Sequence, residues 1–288
     1  MTWKAFEVVL RLRSPMHIGC GRTGNVQRTR PYVPGRAIWG ALTLRLTRDL
    51  AAPGKPACQS GPYRHIGERI NESLAFTYFY PALRNPADGI RPIWPWKEDF
   101  STRLLAGYSS TALRYPAQCA EEGMLHETEF ITPRTTDSAE PVFLLGYVFQ
   151  KDDSPDWRQA FGRVQFGSER GYGWGRVEFE PGMAPKEMTS KSLFGGAAIV
   201  ENLEQARPIL HVPASEAAPG RLLAHVRFKD SGIDGPVEPL VGREWRSDAK
   251  RNRHVGQHVE YVDVCLEPGT QILEPRDFEI GPCGLWKR

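Results

Sequence analysis

Residues 166–177 read Phe-Gly-Ser-Glu-Arg-Gly-Tyr-Gly-Trp-Gly-Arg-Val, and their types and spacing suit one kind of chemistry. Gly167, Gly171, Gly173 and Gly175 permit positive φ and a close approach of the backbone to a ligand. Arg170 and Arg176 bring permanent charge in a forked donor geometry that matches phosphate. Tyr172 and Trp174 offer flat faces on which a base can stack. Interleaved this densely, these residues describe a clamp on a nucleic-acid backbone. A hairpin corner rich in turn residues would use the same glycines.

The same pattern recurs near the N-terminus. Gly19, Gly21 and Gly24 sit among Arg22, Arg28 and Arg30, and Pro34-Gly35-Arg36 leads into Ile38-Trp39-Gly40-Ala41-Leu42. A third basic stretch, 243–258, holds Arg243, Arg246, Lys250, Arg251, Arg253, His254 and His258, flanked by Trp245 and Tyr261. It reads either as a solvated basic loop or as an RNA contact. His17 lies in the N-terminal stretch and could act as a general base toward a ribose 2′-OH in metal-free RNA cleavage, oriented by Tyr32 or Arg22. A histidine that contacts RNA or packs at a strand end is the reading favoured here. The sequence contains no HExxH, P-loop, GxSxG or Cys-His arrangement, and Asp152-Asp153 reads as a surface turn pair. Cys58 and His65 have no second pair to complete a zinc site, so neither metal nor cofactor is expected.

Composition sets bounds on this chemistry. The net charge is only +3, so the 288-residue chain is not globally basic. Yet only nine of its 37 basic residues are lysine. Arginine dominance favours bidentate phosphate contacts and stacking, although a GC-rich genome enriches arginine as well. Five scattered cysteines with no CxxC point to a reducing compartment. There is no signal-peptide pattern and no apolar run of spanning length, so a cytoplasmic chain without a membrane partner is expected.

The elements that must hold these loops follow from periodicity. Phe6, Val8, Leu10 and Leu12 alternate with charges, which predicts a half-buried strand. Ile38, Leu42, Leu46 and Leu50 recur every four residues, a helix with one apolar stripe and Arg36, Arg45 and Arg48 on or near its other faces. Residues 51–67 read as a Pro/Gly loop, 74–80 as a strand, and 85–99 as a long irregular insertion around Trp94-Pro95-Trp96. That insertion is expected to bury its indoles against a binding partner and not to leave them in solvent. Strands are predicted at 125–131, 142–149 and 176–179, with a short helix over 156–164. The order is that of an α+β, ferredoxin-like (RRM-like) βαββαβ module with insertions, which in RNA-recognition domains offers a sheet face and loops to single strands. The chain divides into this module (1–181), a linker (182–192) and a smaller β-rich C-terminal module (193–288), with strands at 209–212, 222–228 and 258–266.

Three stretches now carry a resemblance: 14–19 with 34–42, 123–131, and 160–177. Together they resemble the RAMP superfamily of CRISPR effector complexes, in its opening strand and Pro-Gly helix start, its central strand, and its helix with glycine-rich loop. The resemblance covers 1–181. It implies an RRM-like module that grips CRISPR guide RNA by its backbone beside other effector subunits, with target RNA or DNA as a further partner. The mid-chain loop with a second module behind it is most like type III handle-capping or backbone-end subunits. Repeat-cutting members carry the loop near the C-terminus, whereas more than a hundred residues follow it here. Backbone members cut target RNA through a loop aspartate, for which Asp88, Asp99 and Asp137 are candidates. The expectation is therefore a noncatalytic guide-RNA-binding subunit. Its alternatives are a metal-free repeat-processing endoribonuclease using His17, and a protein–protein scaffold docking through Trp94 and Trp96.

Overall fold

The computed structural model describes residues 2–51, 57–87, 89–251 and 253–288, the side chains of 230, 261 and 262 excepted. It is an α+β structure. Strand β1 (Lys4–Leu12) is followed by a hairpin of β2 (Gly19–Thr23) and β3 (Val26–Thr29), then helix α1 (Gly35–Leu50) and helix α2 (Ser60–Ser73). Strands β4 (Leu74–Phe76), β5 (Tyr80–Asn85), β6 (Gly89–Pro92), β7 (Leu105–Ser110), β8 (His126–Ile131) and β9 (Phe143–Gln150) come next. Helix α3 (Trp157–Phe161) and strands β10 (Val177–Phe179) and β11 (Lys186–Glu187) complete the first module.

The main sheet runs β10-β1-β9-β5-β6, with β4 also on β9 and β11 on β1, and every pairing is antiparallel. Taken as strand, helix, strand, strand, helix, strand, this is the 4-1-3-2 order of a split βαβ pair. Its helix face buries Phe6, Val8, Leu10 and Leu12 of β1 and Leu144 and Val148 of β9 against Ile38, Leu42 and Leu46 of α1 and Phe161 of α3. Each such side chain contributes about 1.5–3 kcal/mol.

The other face is not open. Ala5 and Val9 of β1, and Phe143, Leu145, Tyr147 and Phe149 of β9, enter a second core with Leu193, Phe194, Leu210, Phe278 and Trp286 of the C-terminal module. Burial on both faces explains why 143–149 is a continuous apolar run instead of an alternating one. It also corrects two expectations. The first strand is buried on both sides, and the sheet face that RNA-recognition domains offer to single strands is covered. The C-terminal module forms an eight-stranded sheet from Ser192–Leu193 at one edge through Ala198–Asn202, Ile209–Val212, Arg276–Ile280, Trp286–Lys287 and Val226–Arg227. Two long strands, β12 (Val237–Glu244) and β13 (His258–Leu266), close its far side as a ribbon.

Three local readings change. The stretch read as a loop over 51–67 contains the first half of α2. Part of the 182–192 linker is strand β11, added to the main sheet beside Phe6 and Glu7. The Trp94-Pro95-Trp96 insertion folds back on its own core. The two indoles stack at 4.9 Å and pack edge-on against Tyr80, so the expectation that a neighbour buries them is corrected. Arg221 lies over Trp96, and Phe194 closes on Trp94.

Candidate nucleic-acid interface

The glycine-rich loop leaves α3 and returns as β10, and its backbone is tied to the segment after β1. Ser168 N–H donates to the His17 carbonyl (2.9 Å), Gly175 N–H to the Pro15 carbonyl (2.7 Å), and Arg176 N–H to Ser14 Oγ (2.9 Å). Gly167 and Gly175 sit at φ 82° and 70°, where a Cβ would also collide with the His17 and Phe166 carbonyls. These two positions therefore require glycine for both conformation and space. Between them Arg170–Tyr172 form one 3₁₀ turn. Glu169 holds a left-handed φ of 55°, a conformation unfavourable for a residue with a Cβ and one that clusters at ligand clamps.

The loop is thus rigid in its backbone and open in its side chains. Tyr172 is 84 % exposed, and Arg170, Gly171 and Arg176 are exposed. Among the described residues neither Arg170 nor Arg176 has a carboxylate partner. Trp174 behaves differently. It packs edge-on against Phe130 of β8 and Tyr108 of β7, fixing the loop to a four-stranded sheet β2-β3-β8-β7. Gly173 holds φ 84° with open space where a Cβ would be, and Gly171 also faces open space.

The N-terminal arginines divide. Arg22, at the β2–β3 turn, donates to the Gly24 carbonyl and Asn25 and stays exposed. Arg28 pairs with Glu129 at 3.2 Å across the small sheet. Arg30 is bidentate to Glu238 (2.5 and 2.7 Å), with both side chains largely buried. Glu238 also accepts from His225 Nε2 at 2.6 Å, and Tyr78 bonds to His225 Nδ1 at 2.7 Å. Burial opposes ionisation of Glu238, but the hydrogen bonds from His225 and Arg30 outweigh it and hold the carboxyl at about 2. Burial pushes His225 below its ordinary value. Arg36 pairs with Glu244 (3.3 Å) and lies 3.9 Å from Glu260. Arg30 and Arg36 therefore join α1 and the loop before it to the β12–β13 ribbon. As RNA ligands they are withdrawn by their own carboxylates. Gly35 is explained in the same way, because a Cβ there would strike the Cys283 carbonyl, so the Pro-Gly helix start fits against the C-terminal module.

The third basic stretch is the turn of the ribbon. Arg246 pairs with Glu244 at 3.4 Å, whereas Arg251 and Arg253 are exposed. Glu244 lies below its ordinary value because of a hydrogen bond from Glu260 and the guanidinium groups of Arg36 and Arg246, and Glu260 is raised by the same pairing. Trp245 contacts Tyr63 of α2, with ring centroids 5.5 Å apart. Ser247 and Ser60 exchange backbone-to-hydroxyl bonds at 2.9 and 3.0 Å, which clasps the turn to the start of α2.

This clasp creates a groove of about 1470 Å³ that sequence reasoning did not foresee. The outward side of α1, the first half of α2, the ribbon turn and the glycine-rich loop line it. It brings Arg170 and Gly171 together with Arg243, Trp245 and Arg246, and adds Trp39, Gly40, Arg48 and Tyr63. The signal for part of this was present. Arg36, Gly40, Leu44 and Arg48 recur every four residues along the side of α1 opposite its apolar stripe.

The alternative catalytic residue is buried. His17 is 3 % exposed, and its Nδ1 lies 2.6 Å from the Glu129 carbonyl, so Nδ1 carries the proton. The ring joins β8 to the segment beneath the glycine-rich loop. Of the candidate aspartates, Asp99 and Asp137 both pair with Arg103, and Asp88 lies outside the described residues. Among the described residues no three His, Cys, Asp or Glu side chains gather as a metal site, and no helix is long and apolar enough to cross a membrane.

No family model matches the chain, and no curated protein does. Among solved structures it is similar to chains from cryo-EM structures of type III-B Cmr-beta. For the apo state the identity is 9 % over 65 % of this chain and 98 % of that one, with a TM-score of 0.38. For the state bound to cognate target RNA and AMPPnP it is 11 % over 93 % and 84 %, with a TM-score of 0.44. For the state bound to cognate target RNA it is 9 % over 62 % and 96 %, with a TM-score of 0.40. Overlaps of this size assign no role to the chain.

Proposed function

We propose that this chain is a noncatalytic guide-RNA-binding subunit of a type III-like CRISPR ribonucleoprotein complex, gripping the guide backbone or its 5′ handle through the glycine-rich loop. One observation carries the RNA-binding reading. The loop's backbone is pinned at three points, while Arg170, Tyr172 and Arg176 project with no acidic partner among the described residues. Pre-organised guanidinium groups beside an aromatic face suit a single-stranded backbone. The CRISPR assignment rests on the resemblance of 1–181 to RAMP proteins.

Two further features support the reading. Phe130 and Tyr108 beneath Trp174 join the loop to the β2–β3 hairpin sheet that carries Arg22, so two exposed arginine turns share one support. An arm following β7 exposes Leu113, Tyr115, Met124 and Leu125, apolar surface that suits contact with a neighbouring subunit. Trp94 and Trp96 no longer serve the scaffold alternative, since their own core holds them. The buried, carbonyl-bound ring of His17 supports a positioning role over general-base catalysis.

The deciding experiment measures binding to CRISPR-repeat-derived single-stranded RNA and to scrambled RNA of equal length across a salt series. With about five phosphates neutralised, log K falls with log salt at a slope of roughly −3 to −4. Salt-independent binding removes the clamp. Equal affinity for the scrambled RNA, without co-purification of effector subunits, removes the CRISPR assignment. Cutting of repeat RNA in EDTA that is lost in His17→Ala would establish the endoribonuclease instead.

A further inference from the structure

The groove beside the glycine-rich loop has features that the clamp alone does not use. Its volume of about 1470 Å³ exceeds the roughly 300–1,000 Å³ typical of small-molecule sites, so a segment of polymer suits it better than a metabolite. On its floor, Gly40 occupies the interior of α1. A Cβ there would meet nothing within 4 Å, so packing within the chain gives no reason for glycine. Glycine in a helix interior is unfavourable by about 0.5–1 kcal/mol relative to alanine. The open face at Gly40 leaves room for a ligand to lie close on the helix.

The walls have fixed aromatic rings. The Tyr63 hydroxyl donates to the Ala57 carbonyl and Trp245 Nε1 to the Arg253 carbonyl, both at 3.0 Å. With their polar edges tied down, both rings remain only half-buried. The charges are also distinctive. Of the four acids that line it, Glu244 is paired with Arg246 and Arg36, Asp248 with Arg64, Glu260 lies 3.9 Å from Arg36, and Glu68 is exposed with no cation partner among the described residues. Arg48 and Arg170 have no carboxylate partner among the described residues, and Arg243 donates to the Gly256 carbonyl.

We infer that this groove receives one or two unpaired nucleotides of the bound RNA, with a base against Trp245 and Tyr63 over Gly40 and phosphate held between Arg48 and Arg170. This inference rests on the RNA-binding reading above. Arg170 belongs to both the loop and the groove, so the strand that leaves the clamp enters here. A peptide without acidic side chains would give these guanidinium groups no anion, whereas a nucleotide supplies both a stacking face and a phosphate.

The test uses the full chain and single-stranded RNA carrying 2-aminopurine at successive positions. In the wild type, fluorescence is quenched at one or two adjacent positions. Trp245→Leu abolishes that quenching and weakens binding about 5- to 150-fold, the range for loss of one stacked base. Gly40→Leu is the variant immune to unfolding artefacts. It favours the helix, so the melting temperature holds or rises while RNA affinity falls at least about fivefold. If RNA binds with the expected salt slope but no position is quenched and both variants bind as the wild type does, the groove inference fails and the clamp stands. If the wild type does not bind RNA, the clamp reading fails and the groove inference goes with it. Quenching that persists in both variants, with loss of a protein partner instead, assigns the groove to a peptide and overturns the inference.

Discussion

The two arginine–glycine loops look alike in sequence, but the N-terminal one, apart from the exposed Arg22, commits its arginines to carboxylates. The loop at 167–176 keeps Arg170 and Arg176 in solvent. The loop at 19–36 gives Arg28, Arg30 and Arg36 to Glu129, Glu238 and Glu244. Local composition does not separate the two, because the deciding residues are the acids, and these lie 100 or more positions away in the chain. An arginine beside a glycine is a phosphate ligand only where the fold leaves it unpaired. Where the fold supplies a buried carboxylate, the same arginine fastens one layer of the molecule to another.

The largest test of that contrast is stability. Arg30→Ala leaves the Glu238 carboxylate largely buried without its bidentate partner and is expected to destabilise the fold by about 3–5 kcal/mol. Arg170→Ala, on an exposed loop, is expected to change stability by less than about 0.5 kcal/mol. Urea unfolding of the two variants compares them directly, and equal destabilisation would erase the distinction.

The same network predicts an acid response. The folded-state value of Glu238 is depressed to about 2 from an ordinary 4.5. Its stabilising contribution is therefore complete above about pH 4.5 and is lost as pH falls through about 2. His225, depressed from 6.5 by burial, adds destabilisation once the pH drops below that value. Stability should thus decline below about pH 6.5 and decline further under 4.5, and Glu238→Gln should flatten the lower limb in a pH series of melting temperatures.

Binding sharpens the contrast from the other side. Arg170→Ala and Arg176→Ala should each weaken RNA binding by about 1.5–3 kcal/mol, roughly 13- to 150-fold, and each should reduce the salt slope by about 0.7. Wild-type affinity in both variants would refute the clamp. The smallest effect belongs to Arg28→Ala. Its guanidinium is half-exposed beside Glu129, and loss of such a surface pair is worth about 0–1 kcal/mol of stability. A tenfold loss of RNA affinity in Arg28→Ala at unchanged stability would place the β2–β3 hairpin on the RNA despite its ion pair.

Sequence carried much of this architecture where the physics was local. The Ile38/Leu42/Leu46/Leu50 stripe marks α1, and the apolar run 143–149 marks a central strand. Helix α2 was hidden because Gly61, Pro62 and Gly67 break its pattern. Pro62 lies in the first turn, where no backbone N–H is required. Gly67 is needed because the Trp39 indole packs there and donates to its carbonyl at 2.8 Å. Neither reason is visible without the neighbouring helix. The glycine-rich loop was legible as a unit, since its spacing is its signal. The groove was not, because its walls come from four separate stretches that only the ribbon clasp brings together. Trp94 and Trp96 were misread for the same reason. Phe194, which closes on Trp94, and Arg221, which lies over Trp96, are 100 or more residues downstream in the core that both indoles pack against.

The close fit of Gly35 against the Cys283 carbonyl also has a bearing on time. During synthesis at about 5–20 residues per second, roughly 12–50 seconds separate the two halves of that contact. For that interval the start of α1 lacks the surface it is fitted to, while the second apolar face of the sheet is covered piecemeal as Leu193, Phe194, Leu210 and Phe278 are made. A nascent chain halted before 283 should therefore show weak protease protection of α1, and one carried beyond it strong protection.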